Sequence, residues 1–235
     1  MKILALESTA VAGSAALVED EKVLGEFYCN TALTHSQTLM PMVEQLLACT
    51  RTALEDVDLF AVTAGPGSFT GVRIGVSSVK GMAMALGKPC CAVSTLEAMA
   101  CGASMVEGLV CALMDARCGQ VYTALFRVSG GRVERLTQDS AVLAAEAAAV
   151  CAAWPGEKLY LAGDGAALCA PLPEFRALGA VLLPEPVRYQ RASGAARAAL
   201  AMAGRGEVLS ADRLAPIYLR VPQAERELKK RLRTQ

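Results

Sequence analysis

Near the start of the chain, short apolar runs alternate with polar turns, and helical spacing takes over further on. Residues 2–6 read as a strand ending at Glu7, Ser8 and Thr9, and residues 13–18 as a second strand. Residues 23–30 follow the polar turn 19–22 as a third. Links this short predict an antiparallel meander. In residues 36–48, Leu39, Val43, Leu46 and Leu47 share one face of a helix. An apolar strand over 58–64 leads into a glycine turn and then a helix over 72–86, rich in small and apolar residues. A strand over 89–93 precedes a helix capped by Ser94 or Thr95, with Glu97 in its first turn.

From residue 109 the order begins again. Strands over 109–114 and 121–128, a third after Gly130 and Gly131, a helix over 143–153 and a strand over 159–162 repeat the first plan. This predicts an α/β protein of two lobes with a cleft between them, divided as 1–105 and 106–235, the second lobe shorter and rich in alanine. Glu7 and Asp115 then stand at matching places, each closing the first strand of its lobe. Paired carboxylates so placed could carry Mg²⁺ to a nucleotide phosphate; they fit equally well as polar turn residues. Asp164, between two glycines, reads the same two ways.

The turn from Gly65 to Gly75 joins a strand to a helix start, where free N–H groups could meet an anion. It is not a nucleotide P-loop, because Val72 and Arg73 stand where that motif needs Lys and Ser or Thr. The same glycines also suit a close strand-to-helix connection. On the helix that follows, Val72, Val76, Val79, Ala83 and Leu86 form one face, with Ile74, Gly81 and Ala85 nearly opposite. Only a narrow stripe of Arg73, Ser77 and Lys80, with Met84 beside it, is polar. A helix with so little polar surface is covered on more than one side, by its own lobe or by a partner. Met40 and Met42 on the preceding helix extend the adaptable apolar surface.

Composition narrows the function. Lys plus Arg equals Asp plus Glu at 23 each, so no global field draws the chain to nucleic acid or membrane. The basic cluster Lys229, Lys230, Arg231 and Arg233 is the one local exception. With 54% hydrophobic residues the chain can bury a large core. Glu7 interrupts the first apolar run well short of a signal-peptide core, so a cytoplasmic protein is expected. Nine cysteines without a zinc-type spacing read as small buried hydrophobes. The single histidine, His35, excludes two-histidine metal sites; at a helix start it suits capping or partner contact.

Taken together, the run from Ile3 to Thr9, His35 and Ser36 with Leu39 and Pro41, the run from Gly65 to Gly75, Lys80 and Gly81, the run from Val93 to Ala98, that from Met114 to Arg117, and Tyr218 to Arg220 resemble the TsaB (YeaZ) family. The resemblance covers nearly the whole chain in order. It implies the ASKHA (actin-like ATPase) fold, with two duplicated ribonuclease-H-like lobes and the second reduced. It also implies a cytoplasmic, non-catalytic dimerisation subunit in the synthesis of threonylcarbamoyladenosine in tRNA. Such a subunit pairs as a heterodimer with a TsaD-like catalytic subunit and is joined by a TsaE-like ATPase. It meets tRNA only through the complex, and alone it could form a homodimer. The isolated chain would hold no cofactor, ATP or ADP with Mg²⁺ entering only in the assembled complex. The partner surface maps onto His35, Ser36, Leu39, Met40, Met42, Val43, Arg73, Val76, Ser77, Lys80 and Met84. Glu7, where the family commonly has Asp, leaves Glu7, Ser8 and Asp115 as candidates for cofactor contact by position alone. The rival reading is an autonomous ASKHA-type ATP-dependent enzyme. A metallopeptidase would need the histidine pair that one histidine cannot supply.

Overall fold

A computed structural model describes residues 1–31 and 33–220. The basic cluster at 229–233 lies outside the described residues, as does Val221, the end of the extended piece that Pro216 and Pro222 predict over residues 217–221. β1 (Lys2–Glu7), β2 (Gly13–Glu19) and β3 (Lys22–Cys29) form the antiparallel meander that the short turns predict. α1 (His35–Thr50) leads to β4 (Leu59–Gly65), which lies parallel to β1. α2 (Phe69–Leu86) crosses over to β5 (Cys90–Ser94), parallel to β4, and the sheet order is β3-β2-β1-β4-β5. After α3 (Thr95–Gly102) come β6 (Gly108–Asp115), β7 (Gln120–Ser129), β8 (Arg132–Arg135) and β9 (Ser140–Leu143). α4 (Ala144–Ala152), β10 (Leu159–Ala162), α5 (Ala166–Cys169), α6 (Pro173–Ala177), β11 (Val181–Leu182), α7 (Glu185–Arg188) and α8 (Ala192–Gly204) follow.

The second sheet, β8-β7-β6-β10-β11, repeats the first sheet's order and its switch from antiparallel to parallel pairing. This is the duplicated ribonuclease-H-like lobe of the ASKHA fold. The second copy is reduced: β11 has two residues, and α5, α6 and α7 have four, five and four. β9, which pairs with β7, has no counterpart in the first sheet and escaped the sequence pattern because four residues carry too little alternation.

The central strands of the first sheet are buried on both faces, which is why they read as unbroken apolar runs. Leu39, Met42, Val43 and Leu46 of α1 and Val72, Val76 and Val79 of α2 pack on one face with Leu4, Leu6 and Phe60. The other face is covered by α3 and α8, where Ala192, Ala195, Ala196 and Ala199 meet Ile3, Ala5 and Leu59. α8 therefore packs with the first lobe, although it falls in the range 106–235 expected to form the second. Its small side chains allow that close approach; a Cβ at Gly194 would collide with the carbonyl of Ala98. All nine cysteines are free, and six are buried as expected; Cys49 and Cys118 are exposed instead. No helix among the described residues is long and apolar enough to cross a membrane.

Candidate functional site

The glycine turn is a packing device. α2 begins at Phe69, three residues before the sequence pattern suggests, because Ser68 caps it: the Ser68 hydroxyl accepts from the Gly71 N–H at 3.3 Å. Ser68 itself donates its N–H to the Thr9 carbonyl at 2.7 Å. A Cβ at Gly71 would strike the Ser8 carbonyl, and one at Gly75 the Ser8 hydroxyl. The two glycines thus seat the first turns of α2 directly on the loop after β1, and Ser8 closes the contact by donating to the Gly71 carbonyl at 2.9 Å. The N–H groups of Ser68 and Gly71 are spent within the chain, and with the close fit of Gly71 and Gly75 on Ser8 this favours the close connection over an anion cradle.

Two substitutions separate these roles. Gly71→Ala is expected to destabilise the fold by about 3 kcal/mol, the cost of forcing a methyl against rigid backbone. Gly81→Ala, on the same helix with nothing near its missing Cβ, should stabilise it by roughly 0.5–1 kcal/mol. Urea midpoints of the two variants moving in opposite directions check both.

His35 opens α1, but it does not cap it. Its Nε2 lies 2.7 Å from the Ala10 carbonyl and so donates to it, tying α1 to the β1–β2 loop. Ser36, Met40, Arg73, Ser77 and Met84 are exposed, whereas Leu39, Met42, Val43 and Val76 are sealed in the first lobe's own core. Those four face inward because they belong to the apolar stripes that pack α1 and α2 on the sheet. Of the four, Leu39 also lines the floor of the groove between the two helices. Between the helices lies a groove of about 410 Å³ lined by His35, Ser36, Met40, Arg73, Ile74 and Ser77 among others. Lys80 is half-buried, its ammonium donating to the carbonyls of Asp212 at 2.9 Å and Leu214 at 3.2 Å. The polar stripe of α2 is thus partly covered by the segment at 212–214.

The cleft between the lobes is small, about 290 Å³, and is lined by Thr9, Ser68, Asp115, Arg117, Tyr122 and Asp164 among others. Glu7 ends β1 as expected but is fully buried. Its Oε1 accepts from the N–H and hydroxyl of Thr9 at 2.5 and 2.6 Å. Oε2 and the Thr63 hydroxyl have no well-aligned hydrogen bond. Burial raises the Glu7 carboxyl to about 7, against the opposing pull of Thr63 and Thr9. Asp164 is also raised by burial, while its Oδ1 accepts from the N–H groups of Asp115 and Gly165 at 3.2 and 2.9 Å. Asp115 is engaged by Arg117 through backbone and guanidinium at 2.8 and 3.0 Å. Among the described residues no three His, Cys, Asp or Glu side chains gather to hold a metal ion. Of the two strand-end acids, Glu7 is sealed in the protein and Asp115 is paired with Arg117, which is a poor donor set for a magnesium ion.

Residues 29–183 match the family described as TsaD, tRNA N6-adenosine threonylcarbamoyltransferase. The tRNA threonylcarbamoyladenosine biosynthesis protein TsaB of Bacillus subtilis is 38% identical over 146 residues, 62% of this chain and 64% of that one. YeaZ from Pseudomonas aeruginosa superposes with a TM-score of 0.81 at 30% identity, covering 93% of this chain and 99% of that one. The chain belongs to the TsaB/YeaZ family. An uncharacterized protein of Mycobacterium tuberculosis is 34% identical over 228 residues, 95% of this chain and 93% of its own length. The chain spans 64% of the length of the B. subtilis and Escherichia coli relatives it matches. A ROK hexokinase from Thermus thermophilus, 16% identical with a TM-score of 0.50 and covering 88% of this chain and all of its own, shares the fold.

In this TsaB/YeaZ-family chain, the two prolines at 216 and 222 predict an extended piece pinned to the body by Ile217, Tyr218 and Leu219, but nothing in the sequence pattern places that piece near the site. Ile217 donates its N–H to the Ala64 carbonyl at 2.7 Å, beside the glycine turn. The Tyr218 ring stacks on Phe69 with centroids 4.6 Å apart, and its hydroxyl accepts from Arg73 Nε at 2.8 Å. Phe69 and Tyr218 were therefore missed as neighbours of Arg73. Pro216 and the isolated aromatic after it were the available signal, but nothing in the spacing says which helix a segment 145 residues away will meet.

Proposed function

We propose that the chain is the non-catalytic partner subunit that binds and supports a TsaD-like catalytic subunit in the threonylcarbamoylation of the adenosine next to the anticodon in tRNA. The observation that carries this reading is the α1–α2 face. It presents exposed Met40 at a groove with Ser36, Arg73 and Ser77, and exposed Met84 further along α2, while the acids a nucleotide enzyme would need are buried or paired. Methionines on an exposed face suit a protein contact, because they adapt to the surface they meet. A TsaE-like ATPase joins the pair in this reading, tRNA is met only through the complex, ATP or ADP with Mg²⁺ enters only on assembly, and the setting is the cytoplasm.

The test is co-purification of this chain with its TsaD-like subunit, together with ATP turnover by the chain alone. A stable heterodimer and a silent isolated chain are expected. Robust hydrolysis by the isolated protein, lost on Glu7→Ala, would instead support the autonomous ATP-dependent enzyme.

A further inference from the structure

We propose that residues 211–220 are a strap that clamps the two lobes to each other, and that Tyr218 is the latch linking this clamp to the α1–α2 face; the second part rests on reading that face as a partner surface. The strap is anchored on the first lobe by the Lys80 ammonium on the Asp212 and Leu214 carbonyls and by the Ile217 N–H on the Ala64 carbonyl. Gly65 makes the second anchor fit, since a Cβ there would collide with the Ile217 carbonyl. The strap then reaches the second lobe: Leu219 packs on that lobe's core, and the Arg220 guanidinium donates to the Ala116 carbonyl at the end of β6. One short segment is therefore bonded to both sides of the cleft.

Arg73 connects this clamp to the groove. Its Nε is occupied by the Tyr218 hydroxyl, and it also lines the groove between α1 and α2. A partner carboxylate binding the guanidinium side-on takes Nε and one Nη together, so it must displace the Tyr218 hydroxyl. Latch and acidic partner group then compete for one donor. By linkage, partner binding loosens the strap, and a strap loosened beforehand favours the partner.

Hydrogen exchange of the full chain tests the clamp without any partner. Tyr218→Phe keeps the ring stacked on Phe69 and removes only the hydroxyl; the Ile217 amide should exchange about tenfold faster, and faster still in Tyr218→Ala. Equal protection of that amide in all three proteins would overturn the clamp. Adding the TsaD-like subunit tests the link. Several-fold faster Ile217 exchange in the wild-type complex, together with tighter binding by Tyr218→Phe, is expected. A complex in which Ile217 exchange is unchanged or slowed overturns the link. If no complex forms, the partner reading fails and the link with it, while the exchange of the isolated chain still decides the clamp.

Discussion

Ser77→Arg is expected to abolish association with the catalytic subunit while leaving the isolated chain folded. Ser77 is exposed and lines the groove between α1 and α2, one helical turn beyond Arg73. A glutamate at 77 would find the Arg73 guanidinium at i−4 and be partly neutralised, so it is the weaker test. An arginine there adds a second positive charge beside Arg73. In the free protein the like-charge pair costs only about 0.2–0.5 kcal/mol, because water screens it. Under a partner the added charge is desolvated, and the acidic partner group proposed for this face is already engaged by Arg73, so the arginine at 77 has no counter-ion of its own. An uncompensated interface charge costs on the order of 2–5 kcal/mol, or about 30-fold in affinity at the lower end. Titration calorimetry against the partner subunit, with a melting curve of the free variant, checks both halves. Unfolding of the variant would mean that this side of α2 faces the core; unchanged affinity would move the contact elsewhere.

Glu7→Gln is expected to remove most of the pH dependence of stability near neutrality. Burial holds the Glu7 carboxyl at about 7, against an ordinary value of 4.5. Between those two values the folded protein binds a proton that the unfolded chain has released, so stability falls as pH rises across that window. The contribution is complete below about pH 4.5 and gone above about pH 7, a loss of about 3 kcal/mol. Glutamine mimics the neutral acid. Its carbonyl can take over the Thr9 hydrogen bonds at Oε1, while its amide N–H can turn to the Thr63 hydroxyl. At pH 8 the variant should therefore be the more stable protein by that amount, and near pH 4.5 the two should converge. Urea midpoints at both pH values measure it, and parallel profiles would show that Glu7 is ionised in the folded protein across the whole range.

The same carboxylate marks where the sequence stops being informative. Its position at the end of a first strand was legible from the apolar run before it. Its chemistry was not, because a carboxylate opening on a cleft and one closed over by Thr9 and Thr63 have the same local sequence. The α1–α2 face divides in a similar way. Periodicity identified the stripes, but whether Leu39, Met42, Val43 and Val76 turn to their own sheet or to another protein depends on which side the sheet lies.

The amino-acid sequence by itself determined the meander, the crossover helices, the repeat of lobes and the conspicuous glycine turn. These depend on short-range periodicity and on backbone conformations that few residues accept. Only the tertiary structure decided what the turn's glycines are for, since Gly65 admits Ile217 and Gly71 admits Ser8 across separations of 152 and 63 residues. It alone returned α8 to the first sheet and laid the strap over both lobes, because burying an alanine-rich stripe or stacking a tyrosine requires a surface that the neighbouring sequence does not contain.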